Sequence, residues 1–251
     1  MNKFISKQSV ASWYALTALL ATFLVGQVIL WFFPDRSSMG ASLLFILMNL
    51  IPMIVAAVFS LVLSEVNSLG EFFKKVFLQK ESSLSWILAF FIPVIYYGIS
   101  ILLMNVRFTG NSLLAFFLYF PWTLLYGGLE EVGWRWFLQD HLSFSKHFIP
   151  KMMLLSIVWF LWHIPIYQLP WITAGSSNYL IFYLMILGNT FLFGALKEYS
   201  KGAVPCILAH MLIDSLAILM LVQSSLPQII LLVIFEILVA SWLVAARKSE
   251  K

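Results

Sequence analysis

The stretch "GGLEEVGWRWFLQ", residues 127–139, sets Glu130, Glu131 and Arg135 among aromatic and aliphatic neighbours. Further along, "WFLWH" ends on His163 and "HMLID" carries His210 and Asp214. Helical residues four apart share a face, so Glu131 can touch Arg135 and His210 can touch Asp214. Glu130 points about 100° away from Glu131, which leaves it to face another helix. A carboxylate that accepts a proton, an imidazole that orients water or binds a metal, and a second imidazole beside a developing oxyanion would together make a hydrolytic site. No HExxH and no GxSxG occurs, and no serine sits at a matching position, so serine chemistry is not expected. Two imidazoles and a carboxylate plus water would also make an open zinc site, with Glu130, His163 and His210 as the ligands.

The elements that must position these residues are membrane helices. Of the 251 residues, 62% are apolar, 17% aromatic and only 10% charged, against roughly 25% charged in a soluble domain. Eight apolar runs approach the length of about 20 residues that crosses a bilayer. They cover approximately 11–33, 41–64, 84–105, 112–142, 151–169, 179–197, 203–223 and 227–246. The runs are too long and too continuously apolar for barrel strands, so the fold class is all-α: a polytopic membrane protein with eight transmembrane helices in a single domain, 1–251. The first run lacks a small-residue cleavage site and is read as retained.

Eight crossings put both termini on one side. That side carries Lys3, Lys7, Lys74, Lys75, Lys80, Arg135, Lys146, Lys151, Lys197, Lys201, Arg247, Lys248 and Lys251, and the other side only Arg36 and Arg107. Such a bias predicts cytoplasmic termini in a plasma membrane protein. The net charge of +4 belongs to membrane flanks rather than to a patch that would bind nucleic acid. Cys206 is a lone cysteine inside the seventh run, so no disulfide framework exists. Residues 67–83, with Phe72, Phe73, Val76, Phe77 and Leu78 among lysines, suit either a surface helix or a solvated loop.

Charges at membrane depth cost about 2.5–3.5 kcal/mol each, which makes every one a functional candidate. Counted from the lysine-rich side at about 1.5 Å per residue, Glu130 and His163 each lie about 20 Å deep, and His210 and Asp214 about 12 and 18 Å. Three helices therefore bring ionisable groups to one layer. Taken singly, each group has a structural reading: an ion pair for Glu131 and Arg135, an interior hydrogen-bonded histidine for His163, an interhelical clasp for His210 and Asp214. Glu236 stands apart in the last run and is expected as a protonated residue bonded to another helix. His141 and His147 lie at the cytoplasmic edge and read as interfacial.

At these residues the sequence resembles the CAAX prenyl protease and bacteriocin-processing (CPBP, Abi) family of intramembrane endopeptidases. "EEVGWR" fits its E-E-x-x-x-R motif, "WFLWH" approximates F-x-x-x-H, and "HMLID" fits H-x-x-x-N/D, over about residues 115–220. The resemblance implies that Glu130 is the general base and holds the attacking water with His163, that His210 faces the oxyanion, and that Glu131 and Arg135 support the first motif. Asp214 stands where many members have asparagine, and Trp159 replaces the phenylalanine. An ionised aspartate cannot donate to an oxyanion, so Asp214 must be protonated, ligate a metal or, the favoured reading, orient His210. The family is described both as metal-dependent and as a glutamate type, and zinc stays open. The implied partners are membrane lipid and a peptide or lipidated protein, with bacteriocin processing and self-immunity among the roles. A non-catalytic immunity or binding protein and a proton-coupled transporter are the rival classes.

Overall fold

In the computed structural model the described residues are 6–33, 38–143, 145–172, 178–223 and 225–249. The structure is 79% helical. Four helices begin on a serine whose Oγ accepts a backbone N–H three residues on: Ser6 before α1 (Lys7–Phe32), Ser38 before α2 (Met39–Val62), Ser68 before α3 (Leu69–Phe77) and Ser82 before α4 (Ser83–Leu102). After a short strand β1 (Val106–Phe108) come α5 (Leu113–Thr123), two π-helical segments, Leu124–Gly128 and Val132–Leu138, and α6 (Gln139–His141). The chain ends with α7 (Phe148–Tyr167), α8 (Tyr179–Tyr199), α9 (Val204–Leu216), β2 (Met220–Val222) and α10 (Leu226–Ser249).

Six of these helices, α1, α2, α4, α7, α8 and α10, are long and apolar enough to cross a bilayer, and the segment Leu113–His141 makes a seventh if its two halves count as one span. The sequence predicts eight, and the difference lies in two places. The fourth predicted span is bent by 45° at Leu129–Glu131, between its two π-helical stretches. The seventh, expected over 203–223, is helical for only 13 residues, about 20 Å.

The end of α9 has a local cause. Beyond Leu216 the carbonyl of Ile218 accepts the Asn111 side-chain amide at 3.0 Å, and that of Leu219 accepts the Thr109 backbone N–H at 3.0 Å. The carbonyls at the helix end itself are taken by the turn: Ile213 by the Ala217 N–H (3.2 Å), Ser215 by the Ile218 N–H (3.2 Å) and Leu216 by the Leu219 N–H (2.9 Å). The chain then runs into β2, antiparallel to β1 with Arg107 opposite Leu221. The sequence reading did not foresee this two-stranded sheet, because residues 220–222 were counted inside an apolar span.

Polar clasps fix the bundle around the site. The Tyr14 hydroxyl donates to the Pro52 carbonyl (3.0 Å), Trp162 Nε1 to Thr22 Oγ1 (2.8 Å) and the Tyr97 hydroxyl to the Ile213 carbonyl (2.9 Å). Where α1, α2 and the second π segment meet, a Cβ on Gly133 would collide with the Tyr14 hydroxyl and with Pro52. Of the two options for residues 67–83, a helix forms: α3 buries Phe72 and Val76. Its Glu71 carboxyl is held down at about 2 by the Asn67 backbone N–H and then by Lys75.

The structure adds detail at four single residues. His141 is buried, bonded through Nε2 to Glu65 and through Nδ1 to the Phe137 carbonyl, each at 2.8 Å. His147 is exposed at the start of α7, and Cys206 is a buried free thiol on α9. Glu236 does face another helix, since a Cβ on Gly188 of α8 would collide with its carboxyl, but neither oxygen has a hydrogen-bond partner among the described residues. Gly188→Ala should therefore destabilise the protein by about 1–3 kcal/mol through overpacking. Adding Glu236→Ala should recover most of that in thermal unfolding in detergent; an unchanged midpoint for Gly188→Ala would contradict this packing.

Candidate active site

Glu130 and Glu131 occupy the short stretch between the two π-helical segments. A π turn widens the helix and is found mostly at functional sites. Here it is combined with close approach of α9: a Cβ on Gly127 would collide with Asp214 Oδ2 and lie 3.0 Å from His210 Nε2, and one on Gly128 would press on Met211 at 2.8 Å. Only glycine lets these two backbones come so near.

Glu131 is the node of the cluster that results. One of its oxygens accepts Arg135 Nε and the other His210 Nδ1, both at 2.8 Å, and the side chains of Glu131 and Arg135 are wholly buried. Arg135 Nη1 donates to the Thr190 carbonyl on α8 at 3.3 Å, and its guanidinium lies 4.9 Å from the centre of the Trp159 ring. Because a carboxylate only accepts, His210 carries its proton on Nδ1 toward Glu131. Its other nitrogen, Nε2, is 3.5 Å from Asp214 Oδ2. The sequence reading favoured Asp214 as the residue that orients His210; in the structure Glu131 makes the shorter bond, and Asp214 lies at the opposite nitrogen. Two acceptors cannot face each other without repulsion, so one proton belongs between His210 Nε2 and Asp214.

Glu130 turns away from Glu131, as their spacing requires, and its Oε2 accepts the Trp159 indole N–H at 3.1 Å. His163 is one turn beyond Trp159 on α7, and its Nδ1 bonds to the Trp159 carbonyl at 2.8 Å. A carbonyl has no proton to give, so the proton is on Nδ1 and the lone pair of the neutral ring is on Nε2. Trp159 also packs edge-on against the His210 ring, with centroids 5.6 Å apart. Glu130 and His163 are thus joined through Trp159, and no hydrogen bond links the two directly among the described residues. The sequence marked Trp159 only as a departure from a motif; its indole N–H, the one polar handle on that ring, was the available signal.

His163, His210, Asp214, Trp159, Tyr167 and Asn189 line a cavity of about 670 Å³. Glu130 is not part of its wall; it lies behind Trp159. A metal held by Glu130, His163 and His210 would need these three groups to converge. Among the described residues no group of three His, Cys, Asp or Glu side chains is arranged to hold a metal ion, and His210 has a carboxylate near each nitrogen.

Residues 112–216 match the family model described as type II CAAX prenyl endopeptidase, Rce1-like. Over this segment the chain is similar to the Rce1-like family. The Rce1-like segment runs from the residue before α5 to the last residue of α9 and contains every group of the cluster. No curated protein matches the chain.

Removing one partner of a buried ion pair strands the other and costs about 3–5 kcal/mol. Arg135→Ala should lower unfolding stability by that amount, and Glu131→Gln combined with Arg135→Met should restore a large part. Wild-type stability in the Arg135→Ala variant, measured by denaturant unfolding in micelles, would show that the pair holds nothing.

Proposed function

We propose that the chain is a CAAX-type intramembrane endopeptidase that hydrolyses a peptide bond in a membrane-associated peptide or a prenylated protein. The observation that carries this reading is that His163 and His210, from different helices, line one cavity whose wall includes Trp159, the indole that holds Glu130. A structural clasp would not need two imidazoles facing an open space.

The proposed steps use side chains alone. His163 Nε2 holds a water molecule, and Glu130 takes a proton from it as the water oxygen attacks the carbonyl carbon, a step that requires the Trp159 indole, which covers Glu130, to swing aside. The developing oxyanion is met by His210 Nε2–H, the donor that remains when Nδ1 is given to Glu131. Collapse of the tetrahedral intermediate breaks the C–N bond, and Glu130 returns its proton to the leaving amine. Asp214 keeps a proton on His210 Nε2, which lets an aspartate serve where an asparagine would donate directly. Arg135 acts at one remove, by holding Glu131 and so the His210 ring.

We further propose that α9 and the turn after it complete an eighth crossing, that both termini are cytoplasmic and that the protein lies in the cell membrane. Support comes from the lysine distribution and from the pairing of β1 with β2, which puts the end of α9 beside the end of α4, away from the lysine-rich helix ends.

Purified protein in detergent, incubated with a peptide library and followed by mass spectrometry, should cleave a subset of peptides. Glu130→Gln and His163→Ala should each lower kcat by about 10²-fold or more, and Gly127→Ala, which forces Asp214 and His210 away, should also impair turnover. Full cleavage by both Glu130→Gln and His163→Ala would overturn the assignment, as would a wild type that cleaves nothing but takes up solutes in response to a pH gradient.

A further inference from the structure

The cavity is closed at one end and open at the other. Trp159, Ile186, His210 and Ile213 are buried, whereas Arg107, Asn178, Leu221 and Gln223, which also line it, are exposed. The opening is therefore at the two-stranded sheet, away from the lysine-rich helix ends. Arg107 is the one Lys or Arg in the lining. Its side chain has no hydrogen bond or ion pair among the described residues, although it belongs to a strand whose backbone is fixed by pairing with β2.

We propose that Arg107 is a specificity-determining residue that binds a carboxylate of the substrate at the mouth of this cavity. The inference rests on the endopeptidase reading above and deepens it. An arginine fixed on a paired strand offers a planar, permanently charged fork that suits a carboxylate, and partial exclusion of water by the neighbouring wall strengthens the contact. Asp214, the one Asp or Glu in the lining, is placed with His210 at the closed end, which leaves Arg107 as the charged side chain at the mouth among the described residues.

The spacing is set by the fold. Leu221, the register partner of Arg107, is seven residues after Asp214. Of these, Ser215 and Leu216 finish α9, and the chain then turns into β2, so the paired strands form the rim of the cavity that Asp214 lines deeper in. The recognised carboxylate lies on the part of the substrate that projects toward the opening. It comes either from an Asp or Glu side chain or from a chain terminus, two sources that the test separates.

The test uses the full chain in detergent and a peptide that the wild type cleaves. Peptides in which each acidic residue is changed to its amide, and the same peptide with an amidated C-terminus, are compared on wild type, Arg107→Gln, Arg107→Lys and Arg107→Glu. A hydrogen bond to a charged group is worth about 1.5–3 kcal/mol, so KM should rise about tenfold or more for one neutralised carboxylate and for Arg107→Gln, with kcat unchanged. The two losses should not add. Arg107→Lys should restore part of the affinity, and Arg107→Glu should prefer a peptide with Lys at the same position. Sensitivity to an acidic side chain identifies that source, and sensitivity to amidation identifies the terminus.

If Arg107→Gln cleaves all peptides with wild-type KM, or lowers cleavage of charged and neutralised peptides equally, the proposal is wrong while the endopeptidase reading stands. If the wild type cleaves no peptide at all, both fall.

Discussion

The two bonds accepted by Glu131 hold the candidate site together. A single buried carboxylate ties Arg135 on its own segment to His210 on α9, and Arg135 in turn reaches the Thr190 carbonyl on α8. Three elements are thereby locked by ionic and hydrogen-bonding groups in a bundle where neighbouring apolar faces, equally content against lipid, supply little preference for one register. The same bonds engage Nδ1 of His210 and leave Nε2 facing away from Glu131. The adjacent glutamates differ in their contacts: Glu131 is consumed in assembly, and Glu130 has the Trp159 indole as its hydrogen-bond partner among the described residues.

That division requires an irregular helix. In a straight α-helix, residues 124–138 would keep uniform spacing from α9; the π-helical stretches and the 45° bend let Gly127 and Gly128 approach α9 while Gly133 packs against α1 and α2. Each glycine serves a different neighbour. The bend, the close contacts and the buried charges thus depend on one another, which is why small substitutions here should be felt both in stability and in turnover.

Much of this was legible in the sequence. The contacts between Glu131 and Arg135 and between His210 and Asp214 follow from four-residue spacing, and the turning away of Glu130 follows from helical geometry. The long apolar runs correctly gave most of the helices. What could not be read were contacts set by bundle geometry: Glu131 with His210, the Trp159 indole with Glu130, and Gly188 against Glu236. The hidden strand at 220–222 and the short α9 were missed for another reason. Apolarity reports burial or lipid contact, and it does not separate a helix from a short strand at the rim of a bundle.

A chamber with its reactive groups at the sealed end has one doorway. After cleavage, the outer fragment is free to depart, whereas the inner one sits among aromatic and aliphatic walls with its exit shared by the next arrival. On the endopeptidase reading proposed above, departure of that inner piece, rather than bond breaking, would set the pace of turnover, and short peptides resembling it would act as product inhibitors.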